Sequence, residues 1–182
     1  MKYHTYPSLK SEADRQSLWD GIVNNGLSTM ATDEYCTSWE TKISGRTVSD
    51  VTGGHNGAEA RMGVTYSEGV SRRGMSLQRF VDVSSANAAK IMGLYPRKGV
   101  LAPGSDADIT LIDTNFKRKL TMDDFHITDY SIWEGFEADG WPVTTILRGN
   151  VVVENREFKA APGSGQFIPR KVDAAVTNRP IA

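Results

Sequence analysis

The stretch "LSTMATDEYC", residues 27–36, is a short, mostly small and apolar run that stops at two carboxylates, Asp33 and Glu34. An acid at the end of a buried strand can serve as a general acid or base. The same acid can merely cap a turn, and strand-ending acids are common enough that the pattern alone favours the turn. The other reactive side chains are dispersed. His4, His55 and His126 stand far apart, and no HxH, HExxH or CxxC occurs. A metal site built by this chain alone would be short of good ligands, and each histidine reads as a loop residue. Cys36 lies three residues past Asp33 with no histidine nearby in sequence, so it reads as a structural thiol. The loop "TGGHNG", residues 52–57, offers glycines that would let backbone approach a ligand closely, or would serve only for turns.

The elements that must position these residues belong to an ordinary chain. It has 182 residues, enough for one domain or pieces of two, with 39% hydrophobic and 24% charged residues. A formal net charge of -1 recruits neither nucleic acid nor an anionic membrane. The apolar runs are far too short to span a bilayer. "KYHTYPS" after Met1 is not an apolar signal segment, and one cysteine cannot make an internal disulfide; both point to the reducing cytoplasm. "SRRG" at 71–74 and "IPRK" at 168–171 read as solvated faces or subunit contacts, since no aromatic interleaving suggests nucleic acid.

Along the chain, Ser11 is an expected N-cap, followed by a helix with Leu18, Trp19, Ile22 and Val23 on one stripe, closed by Asn25-Gly26. "LSTMAT" is expected as a strand. "SGRTVSDVTGGHNG" is a glycine-rich loop, and "AEARMGVTYSEGVSRRG" a helix closed by Gly74. "SLQRFVDVSSANAAKIMGLYPRKG" predicts two short helices, the second capped by Ser84 or Ser85. From about residue 98 the texture turns to β-branched strands, with "GWPV" and "RGN" as turns. A helix-rich part, 1–97, thus precedes a strand-rich part, 98–158, and a proline- and glycine-containing tail, 159–182.

Several of these segments carry a resemblance. "KGVLAPGSDADITLID" looks like the return from barrel to small β-domain of metal-dependent amidohydrolases, and "NAAKIMGLYPRKG", "GHNGAEARM" and "GSGQFIPRK" narrow it. Together they resemble the C-terminal part of dihydropyrimidinase- and hydantoinase-type cyclic amidohydrolases, from about Lys2 to Lys171. The resemblance implies an α/β fold: the C-terminal portion of a (β/α)8 TIM-like barrel plus part of a small composite β-sandwich. Residues 1–97 would be the last barrel strand and its flanking helices, 98–158 the C-terminal share of the sandwich, and 159–182 a subunit contact.

The implied reaction is hydrolysis of the cyclic amide or imide bond of a hydantoin or dihydropyrimidine by metal-activated water. Asp33 matches the family's last-strand aspartate, a ligand to one of two divalent metal ions, expected as zinc, and a proton shuttle between bound water and the leaving nitrogen. The carboxylated lysine and the histidine ligands would lie outside this chain, supplied by the N-terminal part of the enzyme. Where many relatives have histidine after the aspartate this chain has Glu34, read as a solvated loop acid with an indirect role at the site as the alternative. Relatives use serine at the position of Tyr6 and often asparagine at that of Gly53, two positions expected to bind the ring partly through backbone groups. The resemblance further implies a homotetramer, and because one barrel strand cannot bury its own faces without its neighbours, the isolated chain is expected to be inactive and poorly stable. A non-catalytic scaffold of the same fold, acting through oligomer contacts, is the alternative.

Overall fold

The computed structural model describes residues 1–126 and 129–178. Helix α1, Glu12–Val23, starts as its residues dictate: Ser11 Oγ accepts from the Asp14 N–H at 3.2 Å, and the Asp14 carboxylate accepts from the Ser11 N–H at 3.0 Å. This reciprocal pair satisfies two otherwise orphaned donors. Beyond the helix, Asn25 at φ 65° turns the chain away. Trp19, Ile22 and Val23 pack against a core of Tyr66, Met75, Phe80 and Val83, whereas Leu18 is exposed. Consecutive helical residues are about 100° apart, so a helix that buries one narrow face loses such a neighbour to solvent.

Helix α2, Trp39–Lys42, is a single turn capped by Ser38. Helix α3, Ala58–Thr65, continues as a π-helix over Tyr66–Arg72 and ends at Gly74 with φ 71°. Helices α4, Leu77–Val81, and α5, Asn87–Ile91, are joined by a π-helical stretch, Asp82–Ala86, into one rod rather than two capped helices. Ser84 caps nothing: its hydroxyl donates to the Phe80 carbonyl at 2.6 Å, the back-bond a serine makes inside a helix. Ser76 is the cap instead, accepting from the Arg79 N–H at 3.1 Å.

The strands form an antiparallel meander in the order β1-β2-β3-β4: Ile109–Lys119, Glu137–Leu147, Asn150–Glu154 and Glu157–Phe158. "RGN" is a turn as expected, with Arg148 and Gly149 both at positive φ, the geometry that matches strand twist in two-residue hairpins. "GWPV" is not. Gly140 to Val143 lie inside β2, where Trp141 is buried and Pro142 faces Ile112 beside a register shift. Such a shift is where a strand tolerates a proline.

"LSTMAT" forms no ladder with any described residue. A strand needs a neighbour at its edge, and the four strands of the sheet pair only with each other. Side chains hold the segment instead. Arg79 binds the Leu27 carbonyl, Asn87 Nδ2 the Ser28 carbonyl at 3.0 Å, and Arg61 the Met30 carbonyl at 3.2 Å. The Met30 N–H donates to Val83 O at 3.1 Å.

Helix α3 and the sheet meet through glycine. A Cβ on Gly63 would lie 2.3 Å from the Trp141 ring, and one on Gly140, at φ 83°, 2.2 Å from Tyr66. Ser67, fully buried, accepts from the Asp139 N–H at 3.0 Å and donates to the Gly140 carbonyl at 3.2 Å. Ala60 and Val64 complete this core with Leu120, Phe125, Ala138 and Trp141. Of the two arginines of "SRRG", Arg72 serves the same junction, reaching Glu68 and the Glu137 carbonyl, while Arg73 ties the rod to α1, reaching Gln16 and covering the Trp19 ring.

Two outcomes test this packing. Gly63→Ala should destabilise the fold by about 1–3 kcal/mol, the usual cost of overpacking, read by chemical denaturation. The second concerns Asp124, buried between Arg118 on β1 and Arg156 in the β3–β4 turn. Burial pushes its carboxyl up, but hydrogen bonds from the Thr121 N–H and the two guanidinium groups outweigh that and hold it below the ordinary range. A depressed carboxylate stabilises the fold above its unfolded value of about 3.9 and loses that contribution as the pH falls through its lower folded value. Asp124→Asn should therefore cost about 1–3 kcal/mol at neutral pH, with the difference from the parent shrinking as the solution is acidified below that range.

Candidate functional site

The site is assembled from three stretches that lack regular structure: the N-terminal segment, the coil carrying Asp33, and the glycine loop before α3. What joins the first and third is Lys42, the last residue of α2. Its side chain is 0% exposed and its ammonium donates to the carbonyls of His4 at 2.6 Å, Thr52 at 3.0 Å and Gly54 at 2.5 Å. Burial pushes its pKa down, and three carbonyl acceptors match the three donors of an ammonium. The Gly54 N–H also donates to the His4 carbonyl at 3.2 Å.

This node brings together the two positions singled out for substrate contact. The Tyr6 ring lies on Gly53 so closely that a Cβ there would be 2.3 Å from Tyr6 Cδ2. Tyr6 is held in turn by an edge-on contact with His4, ring centroids 4.8 Å apart, and by its hydroxyl, which donates to Val48 O at 3.3 Å.

The Asp33 coil packs along the other side of the glycine loop. A Cβ on Gly57 would lie 3.3 Å from the Thr32 side chain, a tight contact, and Gly54, at φ 95°, is overlaid by Tyr35. Between them, Glu34 reaches across. Its Oε2 accepts from the Gly57 N–H at 2.7 Å and from the Ala58 N–H, capping α3, whose own N-cap is glycine. Glu34 is thus a helix cap from a distant segment rather than a solvated loop acid; the positive end of the helix and two free N–H donors favour a carboxylate there. Its neighbours on both sides are in contact with the loop, so Asp33 is fixed by its backbone. That backbone is strained, at φ 48° in a region where aspartate is one of the few tolerated side chains. The Asp33 side chain is exposed and, among the described residues, bonds to no other group.

The histidines take separate places. His126 pairs with Glu59 through its ring and its backbone N–H. His55 is half-buried, and burial first, then the Lys42 charge, push its pKa down. The Cys36 thiol is pushed up by desolvation and by the carboxylates of Glu34 and Asp129, the opposite of nucleophile activation. Around the Lys42 node, His4 Nε2, His55 Nδ1 and Asn56 Oδ1 are buried without a hydrogen-bond partner among the described residues. Buried polar atoms are seldom left so. No three metal-ligating side chains come together among the described residues. Asp33, exposed and unengaged, fits a metal as one donor, and further donors would have to come from beyond these residues.

Sequence reasoning singled out Asp33, Tyr6 and Gly53, passed over Lys42 and misjudged Glu34. A lysine in "ETKISG" looks like any surface lysine, and no local pattern reports three carbonyls drawn from distant segments. Glu34→Gln should weaken the cap by about 0.5–2 kcal/mol, seen as faster amide hydrogen exchange at Gly57 and Ala58. Unchanged exchange at both would remove Glu34 from this role.

Residues 5–152 match the model of the Amidohydrolase family. The chain is 37% identical over 175 residues to D-phenylhydantoinase of Escherichia coli O1:K1, covering 94% of this chain and 38% of that protein. It is 34% identical to D-hydantoinase of Geobacillus stearothermophilus, covering 93% and 36%. Among solved structures, dihydropyrimidinase from Brevibacillus agri superimposes with a TM-score of 0.91 at 34% identity, covering 98% of this chain and 39% of that one. The chain therefore spans between a third and two fifths of the length of these relatives. With the family model matched over most of its length, the chain belongs to the amidohydrolase family.

Proposed function

We propose that this chain is the part of a metal-dependent cyclic amidohydrolase that carries the proton-shuttling aspartate and one wall of the ring-binding site. Residues 1–97 would provide the last strand of a (β/α)8 barrel, "LSTMAT", with its helices; residues 98–158 would provide a share of a β-sandwich. The segment that forms no ladder here, but is held at three carbonyls by Arg61, Arg79 and Asn87, would pair with strands from the rest of the enzyme. Residues 159–182 would reach a neighbouring subunit of a cytoplasmic homotetramer. Among the described residues no helix is long and apolar enough to cross a membrane.

The observation that carries the reading is the junction of Tyr6, Gly53 and the Asp33 coil around one loop. The ring of a hydantoin or dihydropyrimidine presents an N–H beside a C=O. Backbone groups of the Tyr6 segment and of Gly53 would bind that edge, and the Tyr6 ring would wall the pocket. Two divalent metal ions, proposed as zinc, would supply activated water and polarise the scissile carbonyl when bound, with Asp33 as one ligand. The Asp33 carboxylate would accept the proton from the attacking water and return it to the departing amide nitrogen. A carboxylate on an exposed, backbone-fixed turn can do this without moving the chain, which is what short-range proton transfer requires.

The names of these three relatives, a D-phenylhydantoinase, a D-hydantoinase and a dihydropyrimidinase, support the substrate class. Because the metal donors beyond Asp33 would come from elsewhere, the chain is proposed to act only within the assembled enzyme. There, Asp33→Asn should lower kcat for hydantoin opening by about 10²–10⁴-fold, the usual contribution of a positioned acid-base group, with the melting temperature little changed. A variant that kept its rate would remove Asp33 from the chemistry.

A further inference from the structure

Lys42 is buried with no carboxylate partner among the described residues, an arrangement that is costly unless its donors are well used. All three go to backbone, and two go to the residues on either side of Gly53. The consequence follows from peptide geometry. A trans peptide is planar, and its C=O and N–H point in opposite directions. With the Thr52 carbonyl drawn to Lys42, the N–H of the same peptide, that of Gly53, points away from the ammonium. With the Gly54 N–H donated to His4 O, the Gly53 carbonyl of that peptide points away from His4. His4 O and Lys42 Nζ are themselves 2.6 Å apart. So both polar groups of Gly53 turn away from one node, and among the described residues neither is hydrogen-bonded. A donor and an acceptor on one residue, facing one way, are what a residue in a sheet offers its partner. They are also what an amide edge with adjacent N–H and C=O requires.

We propose that Lys42 is a positioning residue for ring binding: by gathering the His4, Thr52 and Gly54 carbonyls it aims the Gly53 N–H and C=O at the imide edge of the substrate. This rests on the cyclic amidohydrolase reading and adds to it the group that holds the ring-binding backbone in place. Lys42 touches neither substrate nor metal. Glycine at position 53 fits this account, since the Tyr6 ring occupies the space a side chain would need. A merely structural lysine would lower the amount of folded enzyme. A positioning lysine changes how well the folded enzyme binds its ring.

The test is steady-state kinetics of the assembled enzyme with hydantoin and dihydrouracil, for the parent and for Lys42→Met, which keeps an unbranched stem one atom shorter and removes the donors. The expected result is a rise in KM of about tenfold or more for both rings with kcat within about threefold, the signature of lost binding made equally in ground and transition states. Lys42→Ala is the second variant, assayed with n-propylammonium, which replaces the missing atoms and charge. KM should fall towards the parent value with this cation and stay high with n-propanol. If Lys42→Met does not fold, Lys42→Ala prepared in propylammonium and then dialysed gives the same comparison. An unchanged KM, or a loss carried by kcat alone, overturns the proposal. A parent enzyme that opens neither ring overturns the cyclic amidohydrolase reading itself, and the role of Lys42 with it.

Discussion

The arrangement around the site depends on one buried ammonium. Lys42 leaves the end of a four-residue helix and binds three carbonyls from two segments that are otherwise irregular. A loop held by backbone hydrogen bonds alone would need a ladder, and this loop has none. A single charged donor set does the same work from one point, and in a place that excludes water its hydrogen bonds are stronger than neutral ones. The node orders the Tyr6 segment on the glycine loop, and Glu34 then ties the far end of that loop to the Asp33 turn. Positive charge at one end and negative at the other, each spent on backbone, replace the regular structure that the site lacks.

The helices and the sheet serve as the frame for this. The α3 rod begins where Glu34 caps it and continues to the sheet, where its Gly63 lies close under Trp141 and its Tyr66 lies close on Gly140 of β2. A displacement of the rod against β2 would move the loop that precedes it. The same rod sends Arg61 back to the Met30 carbonyl, three residues before Asp33. The loop, the turn and the sheet are therefore mechanically continuous, even though the residues that would do chemistry sit in coil.

Local signals in the sequence were the legible ones. Ser11, Asn25, Gly74 and the "RGN" turn behave as their backbone preferences require, because a cap or a positive φ is decided within a few residues. "GWPV" misled because Gly-Trp-Pro has the composition of a turn, while a buried Trp141 and a register shift keep it in β2. "LSTMAT" has the composition of a buried strand, but a strand also needs an edge to pair with, and composition does not report that. At the site, Asp33, Tyr6 and Gly53 were singled out through the resemblance of their segments to a family. Lys42 and Glu34 were not, since both act on backbone far away in sequence, and such contacts leave no spacing to read.

The most direct test of the Lys42 node is nuclear magnetic resonance of its side chain in protein labelled with 15N and 13C. The account predicts a slowly exchanging Nζ ammonium signal with couplings across hydrogen bonds to the carbonyl carbons of His4, Thr52 and Gly54. An ammonium that exchanges as fast as those of surface lysines, with no such couplings, would contradict it.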